Sequence, residues 1–574
     1  MSLRNFRLIA LLGLSVLFPA ESRPDSISPA PSSSASPLPA PSPGPQQLSG
    51  DGEALLRDFL TSGKMADLHR PEFSNYEKDA EKFYDDFGGA LPWVDQGNPT
   101  AQARSVIVSL KNAADKGLDP EDYEGSRWDA RLAQFGRSGS VPESELVKFD
   151  LALTVSTMRY ISDLHMGRVN PRLFHFGLDI QQQQFELSEF LKQRLIAATD
   201  VSAVLATVEP PFPIYQRTQD ALKKYMDLAR RDDGEPLPAT TRPVKPGDPY
   251  AGVPRLTKLL ALLGDLPAGQ AGANGEGNYQ GVLVEAVKHF QQRHGLAPNG
   301  IIDAATLKEL NTPISSRVTQ LQLAMERMRW LPHEFSRPPV IVNIPEFRLY
   351  ALNDKYLTNF TMNVVVGKAY GHQTPVFANA IKSVVFRPYW NVPISIVRAE
   401  LIPHIEKNPS YLSANSYEIV DKDEKVVVVG EVSKEVIAQL HAGTLRVRQT
   451  PGPENALGLI KFEFPNVYDV YMHSTPAKEL FSRTRRDFSH GCIRLEDPAA
   501  LAKWVLRDMP GWDENSIQAA LNGDKTFEVR LKEPIPVLIF YSTAVILEGH
   551  DDRFFEDIYG LDADLEKALA QANP

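Results

Sequence analysis

Over residues 51–246 apolar positions recur three and four apart, the spacing of a helix that buries one face, as in 54–60 and 101–114. The clearest run is 149–164, where Phe149, Leu153, Tyr160 and Leu164 share a face before Gly167 and Pro171 end it. Three shorter helices are predicted over 250–311. VPRLTKLLALLGDL gives the first, Val284, Val287 and Phe290 mark one face of the second, and HGLAPNG leads to Asp303 as the N-cap of the third. RVTQLQLAMERMRWLP then resumes the earlier helical region, so 250–311 reads as an insertion. From 338 the period shortens. PVIVNIPEFRLYALN, FTMNVVVGK and IKSVVFRPYWNVP are rich in Val, Ile, Phe and Tyr and punctuated by Gly, Pro and Asn, which predicts strands. A mixed stretch over 394–443, with a helical SIVRAELIPHIEK and a strand-like KVVVVG, reads as a subdomain inserted into this β region. The β pattern resumes at 444. AALAKWVLRDM is predicted helical, KTFEVRL and IPVLIFYSTAVIL are predicted strands, and an acidic, partly helical tail follows.

The resulting fold class is multidomain α+β: a helical scaffold over 51–249 completed by 312–336, a small three-helix domain over 250–311, a β-rich domain over 337–547 with its insert at 394–443, and a tail over 548–574. Two N-terminal segments belong to none of these. Residues 1–22 place Arg4 and Arg7 before an apolar run at 8–18 and small residues at Ala20 and Ser22, the form of a secretory signal peptide. Eleven apolar positions fall short of the ~20 that a spanning helix needs, so the chain is expected to be exported, with membrane contact only through an uncleaved signal. Residues 23–50 carry eight prolines and many serines and cannot build a core; they predict an extended tether.

Composition changes the picture in two places. A net charge of −11 argues against general nucleic-acid binding, so the arginines Arg483, Arg485, Arg486 and Arg494 stand out locally. The chain also has a single cysteine, Cys492, so no internal disulfide can form even in an oxidising compartment. His473 lies nineteen residues upstream of it and His490 two. A thiol among imidazoles and cations points to an activated nucleophile, because the thiolate attacks and must be formed by a base or by nearby positive charge. VYDVYMHS predicts a strand ending near His473, and SHGCIRL predicts a tight turn into another apolar segment, with Gly491 free to take an unusual backbone conformation before Cys492. The strand ends can bring Cys492 and His473 together. A zinc site built from His473, His490 and Cys492 lacks paired ligand spacing, and no metal or cofactor is expected.

Two segments resemble known families. AVKHFQQRHGLAPNGIIDAATLKEL is similar to the small peptidoglycan-binding domain of cell-wall enzymes, with Ala286, Val287, Phe290, Gln291, Gly295, Leu296, Gly300, Thr306 and Leu310 at matching core and turn positions. His473 followed by Ser-His-Gly-Cys, with NIPEFRLY, VVVGK, QTPVF, PYWNVP, PGPENALG and KFEFPN upstream, resembles the L,D-transpeptidases with the YkuD-type catalytic fold, in their large periplasmic subgroup. Ser474 stands where Gly is often found and Arg494 where Asn is often found. The resemblance implies an exported, wall-associated enzyme that forms 3-3 cross-links through a cysteine acyl-enzyme and is acylated by carbapenems. His473 would be the base and Gly491 and Cys492 the oxyanion donors. His490 can tune the thiolate or position substrate, Arg494 suits a substrate carboxylate because a guanidinium matches it bidentately, and Ser474 and Ser489, grouped with the substrate-binding residues, are expected to order the turns and not to attack. Peptidoglycan stem peptides would be the partners, with wall synthases or hydrolases beside them. An L,D-carboxypeptidase or other cysteine peptidase or amidase on wall peptides, and a non-catalytic wall-binding scaffold, remain alternatives.

Overall fold

The longest predicted helix forms as Glu143–Met166, but its buried residues run around the whole circumference from Leu146 to Ile161, so it is the core helix of the scaffold and not an amphipathic surface one. Asp150 inside it accepts hydrogen bonds from the Tyr84 hydroxyl and the Trp93 main-chain N–H, both at 2.8 Å, and burial raises its pKa to about 7. These observations come from a computed structural model that describes residues 44–571, apart from 137–139, 175, 179–184, 268, 270–276, 409, 429–431 and 550. The expected signal peptide and the expected tether up to Pro43 lie outside the described residues. The last tether residues are part of the folded body: Gln46 exchanges main-chain hydrogen bonds with Leu91 and Val94, and Ser49 caps the helix Gly50–Ser62. Among the described residues no helix is long and apolar enough to cross a membrane.

The helix Ile314–Arg329 packs against Pro213–Arg231, returning the chain to the scaffold after the three helices Val253–Leu263, Val282–Arg293 and Ala304–Leu310. Asp303 caps the last of these by accepting from Thr306 N–H at 2.8 Å. Gln291 ties the middle helix to the turn, donating to Ile301 O and accepting from Gly300 N–H, both at 2.8 Å. This small domain does not stand alone. Leu256, Leu260 and Phe290 share one apolar cluster with Tyr225 and Leu321 of the scaffold and with Phe540 and Ile546 of the β region.

The β region is a nearly closed barrel. Its strands are β1 (Val340–Asn343), β2 (Arg348–Leu352), β3 (Thr358–Gly367), β4 (Phe377–Phe386), β5 (Ile460–Glu463), β6 (Met472–His473), β7 (Asp487–Ser489), β8 (Ile493–Leu495) and β9 (Phe527–Phe540). They pair in the order β7-β3-β8-β6-β5-β4-β9-β1-β2, and β2 also pairs with β3, which closes the ring. β9 unites the two strands expected after 525 up to Phe540. Its register shifts between Arg530 and Ile535, where Pro534 supplies no ladder donor and a bulge absorbs the mismatch.

The inserted subdomain is wider than 394–443. Its four-stranded sheet runs Trp390–Asn391, Arg446–Gln449, Tyr417–Val420, Val426–Val428, so both flanks belong to it, and it has its own core around Val397, Leu401, Ile419 and Val447. The predicted helix is continuous through Ile394–Ile396, Val397–Leu401 and Ile402–Lys407, but the middle piece is a π-helical turn. Pro403 has no N–H to give to the preceding turn, and the chain widens there. The C-terminal tail is integral too. Asp552–Phe554 pairs with Ala544–Ile546, and Leu565 on Leu561–Gln571 enters the barrel core.

Candidate active site

β6 and β8 run parallel and adjacent, with His473 in register with Arg494 and Met472 with Ile493, and the Ile493 N–H donates to Tyr471 O at 3.0 Å. This pairing brings His473 and Cys492 to the same cleft across nineteen residues of sequence. The cleft has a volume of about 670 Å³ and is lined also by Tyr471, Lys461, Arg494, His490 and, from the inserted subdomain, Ile396 and Glu400. Gly491 takes φ +118, and a Cβ built there would meet only Gln373 O at 3.8 Å, so the left-handed backbone and not lack of space selects glycine.

The nucleophile loop is braced from three directions. The Ser489 hydroxyl donates to Cys492 O at 2.6 Å and accepts from Gly491 N–H at 3.1 Å. The Thr374 hydroxyl donates to Gly491 O at 2.7 Å and accepts from Gly367 N–H at 2.9 Å. The Tyr559 hydroxyl, from the C-terminal tail, donates to Gly367 O at 2.6 Å and accepts from Thr374 N–H at 3.2 Å. Thr374 lies in the QTP stretch noted in the sequence, but nothing local marks it or Tyr559 as braces of a loop more than a hundred and about seventy residues away respectively.

His473 is buried and its Nδ1 lies 2.5 Å from the Ser474 carbonyl oxygen. An oxygen acceptor requires the proton on Nδ1, which leaves Nε2 with the lone pair. Burial first, then the charges of Arg494 and Lys461, lower the His473 pKa to about 3, so the ring is neutral. Burial likewise pushes the Cys492 thiol up, against main-chain and side-chain hydrogen bonds from Tyr471 and the positive charges of Lys461 and Arg494. The sequence expectation of a thiolate favoured by its cations is therefore offset by desolvation, and the resting pair is neutral thiol and neutral imidazole. Lys461 sits over the Tyr471 ring at 4.2 Å from its centroid and pairs with Glu463 at 2.7 Å. Tyr471 was not singled out from the sequence; its place two residues before His473, on the same strand face, was the available signal.

The other expected site residues separate into groups. Arg494 lines the cleft and, among the described residues, has no carboxylate within ion-pair distance. His490 pairs through Nε2 with Glu400 Oε1 at 2.8 Å, and its ring meets that of His372 edge-on at 4.7 Å. Ser474 is set away from the cleft: a Cβ on Gly458 would fall 2.5 Å from its hydroxyl, so the serine is packed under the PGPENALG loop. Ser489 reaches the cleft wall with its hydroxyl engaged by the loop. Ser489 is thus a brace of the turn at the cleft wall, and Ser474 is a packed residue beneath the neighbouring loop. Gly491 N–H is engaged by Ser489 as well, which leaves the Cys492 N–H of the two expected oxyanion donors. Of the nearby arginines, Arg485 is half exposed and paired with Asp487 and Glu556, whereas Arg486 is 8% exposed and inside the protein. Among the described residues no cluster of three or more His, Cys, Asp or Glu side chains is placed to hold a metal ion.

A buried imidazole and a thiol line one cleft, with the Arg494 guanidinium on the same wall, and these are groups from which acyl transfer to sulfur can be built. Residues 338–530 match the L,D-transpeptidase catalytic domain of the YkuD family. The match covers the insert, the Cys492 loop and the barrel as far as the first residues of β9. Residues 250–310 match a family described as "Putative peptidoglycan binding domain", and 78–222 match a scaffold domain. A curated Haemophilus influenzae protein named "Putative L,D-transpeptidase" is 34% identical over 263 residues, which are 46% of this chain and 52% of the relative; the chain thus spans about half the length of the curated relative it matches. A solved L,D-transpeptidase from Stackebrandtia nassauensis covers 53% of this chain and 97% of its own at 16% identity, with a TM-score of 0.21 that is too low to carry an argument.

Proposed function

We propose that the chain is an exported, wall-associated L,D-transpeptidase that forms 3-3 cross-links in peptidoglycan through a Cys492 acyl-enzyme. The observation that carries this reading is the β6–β8 pairing, which sets a Nδ1-protonated His473 and Cys492 in the cleft of an L,D-transpeptidase domain. His473 Nε2 takes the thiol proton as the sulfur attacks the carbonyl of the L-centre of the third stem residue. Thiol and imidazole rest neutral before substrate enters, so the proton has to leave the sulfur on the way to the thioester. The Cys492 N–H holds the oxyanion, a kind of donor worth roughly 3 kcal/mol. The terminal D-alanine leaves as an amine with the proton returned by His473, and a thioester remains. The amine of a second stem then attacks the thioester, the C–S bond breaks, and Cys492 regains its proton. Arg494, unpaired in the cleft, binds a stem carboxylate through two parallel hydrogen bonds. His490, held by Glu400 on the inserted subdomain, is assigned the positioning of the acceptor amine.

The test is product analysis by mass spectrometry after incubation with tetrapeptide muropeptides. Cross-linked dimers carrying a tripeptide donor are expected, and Cys492→Ala is expected to form none while keeping the parent's unfolding temperature within a few degrees. Trimmed tripeptides without dimers would make the protein an L,D-carboxypeptidase. Carbapenem is expected to add its mass to the peptide containing Cys492, and an adduct elsewhere would overturn the assignment of the nucleophile.

A further inference from the structure

Away from the catalytic cleft, a second groove of about 380 Å³ opens where the three-helix domain, the turn between β1 and β2, the loop before β7 and the C-terminal tail meet. Gln292 and Lys308 line it from the first, Arg348 from the second, Arg485 and Arg486 from the third and Phe555 from the fourth. The contact is tight: a Cβ on Gly295, which sits at φ +65, would lie 3.0 Å from Phe555. The groove is therefore formed by packed elements of one body.

Its positive charge is only partly matched. Arg485 pairs with Asp487 and Glu556, Arg553 with Asp551 and Glu346, and Lys308 with Glu556. Arg348 and Arg486 have, among the described residues, no carboxylate within ion-pair distance. Arg486 is buried with its guanidinium donating to neutral oxygens: the carbonyls of Val364 at 3.2 Å, Arg483 at 2.6 Å and Phe347 at 3.0 Å, and Asn363 Oδ1 at 3.1 Å. Below it Phe347 holds φ +55, an uncommon conformation for a bulky residue, with its ring 5.4 Å from the guanidinium carbon. The Arg348 Nε is buried and has no hydrogen-bond partner, and its terminal guanidinium nitrogens are not buried. Burial, and then the charge of Arg348, lower the Arg486 pKa to about 10, against the opposing charges of Glu496 and Glu346, the latter paired with Arg553. A second cation beside a buried guanidinium, with its terminal nitrogens open to the groove, is the local arrangement that an oxyanion relieves.

We propose that this groove binds a carboxylate of a peptidoglycan stem peptide, on a strand other than the one in the catalytic cleft. Arg348 is the direct ligand, Arg486 supplies the field beneath it, and Lys308 guides the approach from the rim. A stem peptide fits better than a free anion because one wall is the segment that matches a peptidoglycan-binding family, and the volume suits a short peptide. The inference rests on the peptidoglycan reading of the protein. The groove also stands at the head of the strand that leads to the nucleophile, since Arg486 O accepts from Val366 N–H and β7 follows directly.

The experiment titrates full-length Cys492→Ala protein calorimetrically with a soluble disaccharide-tetrapeptide, and in parallel with the free stem tetrapeptide and with inorganic phosphate. Two sites are expected for the muropeptide. Adding Arg348→Gln should weaken one of them at least tenfold, Arg348→Lys should restore part of it, and Lys308→Glu, on an exposed side chain, should weaken it several-fold with the fold intact. A single site that Arg348→Gln and Lys308→Glu both leave unchanged would overturn the groove. Phosphate binding there as tightly as the stem peptide would overturn the stem assignment and make it a general oxyanion site. Turnover of tetrapeptide by the Cys492 protein separates the two readings: normal cross-linking with one arginine-independent site sinks the groove alone, whereas two sites without any cross-linking sink the transpeptidase alone.

Discussion

Two imidazoles flank one cysteine, and the walls that carry them are built on opposite principles. His473 belongs to the barrel wall: it is 4% exposed, fixed by the Ser474 carbonyl, and held neutral by burial. His490 stands on the loop and reaches across to Glu400, half exposed on a π-helical turn of the inserted subdomain. The first wall fixes a tautomer before substrate arrives, which favours a proton acceptor with one invariant geometry. The second rests on the ion pair of His490 with Glu400, partly open to water and reaching from the nucleophile loop to a separately cored subdomain, which favours a side that responds to what enters. On the proposed function, the difference would give thiol activation to the barrel wall and acceptor handling to the insert.

Changing His473 should break this division most visibly. His473→Gln keeps a donor for Ser474 O but loses the basic nitrogen that can take up the thiol proton, and the rate of Cys492 acylation by carbapenem, followed by intact mass, should fall by about 10² to 10⁴. A loss no greater than that of His490→Gln would exchange the two assignments. The same variant has a stability signature. In the unfolded chain His473 titrates near its ordinary value of 6.5, and in the folded protein near 3. Between those values only the unfolded chain takes up the proton, so the stability is complete above about pH 6.5 and is lost as pH falls. The deficit reaches about 2 kcal/mol at pH 5. Denaturant melts at pH 7.5 and pH 5 should therefore show a smaller acid penalty in His473→Gln than in the parent, and an equal penalty would mean that the ring is not held neutral.

The loop between the two walls is the next point of attack. Thr374 serves both the Gly491 carbonyl and the Gly367 N–H from a buried position. Thr374→Val keeps the shape and leaves both groups unsatisfied, at a cost of about 1 to 3 kcal/mol. A drop of that size in denaturant melts, with slower acylation, is expected; unchanged acylation would show that the loop does not need this brace.

What could be read in the chain followed from local pattern. The change of period at 338, the Asp303 cap and the Gly-Cys turn are all signals carried by neighbours in sequence, and each has its counterpart in the structure. Contacts between distant segments had no such signal. Tyr559 braces the nucleophile loop from a tail that reads only as acidic and partly helical. Arg486 belongs to a cation-rich stretch that stands out locally, but nothing in that stretch signals that three carbonyls and an asparagine from other segments and its own loop take it inside. The first and last strands of the insert in sequence, Trp390–Asn391 and Arg446–Gln449, have the same β-rich composition as the barrel and are separated from it only by pairing. The fall in the availability of the thiolate was also out of reach, because composition displays the cations around Cys492 but not the burial that opposes them.

The finest test of the comparison lies on the insert. Glu400 and His490 are both partly open to water, and such pairs contribute about 1 kcal/mol or less, so the fold should not depend on them. Glu400→Gln preserves size and hydrogen-bonding reach but removes the charge facing the imidazole. If the insert handles the acceptor, acylation by carbapenem should change little more than twofold, while the ratio of cross-linked dimer to trimmed tripeptide should fall about three- to tenfold. If Glu400 instead acted through the thiol, both rates would fall together and the ratio would stay constant. Because the two products share one thioester, their ratio cancels any difference in folding or active fraction between variant and parent. A constant ratio would therefore remove the insert from the second half-reaction and leave both halves to the barrel wall.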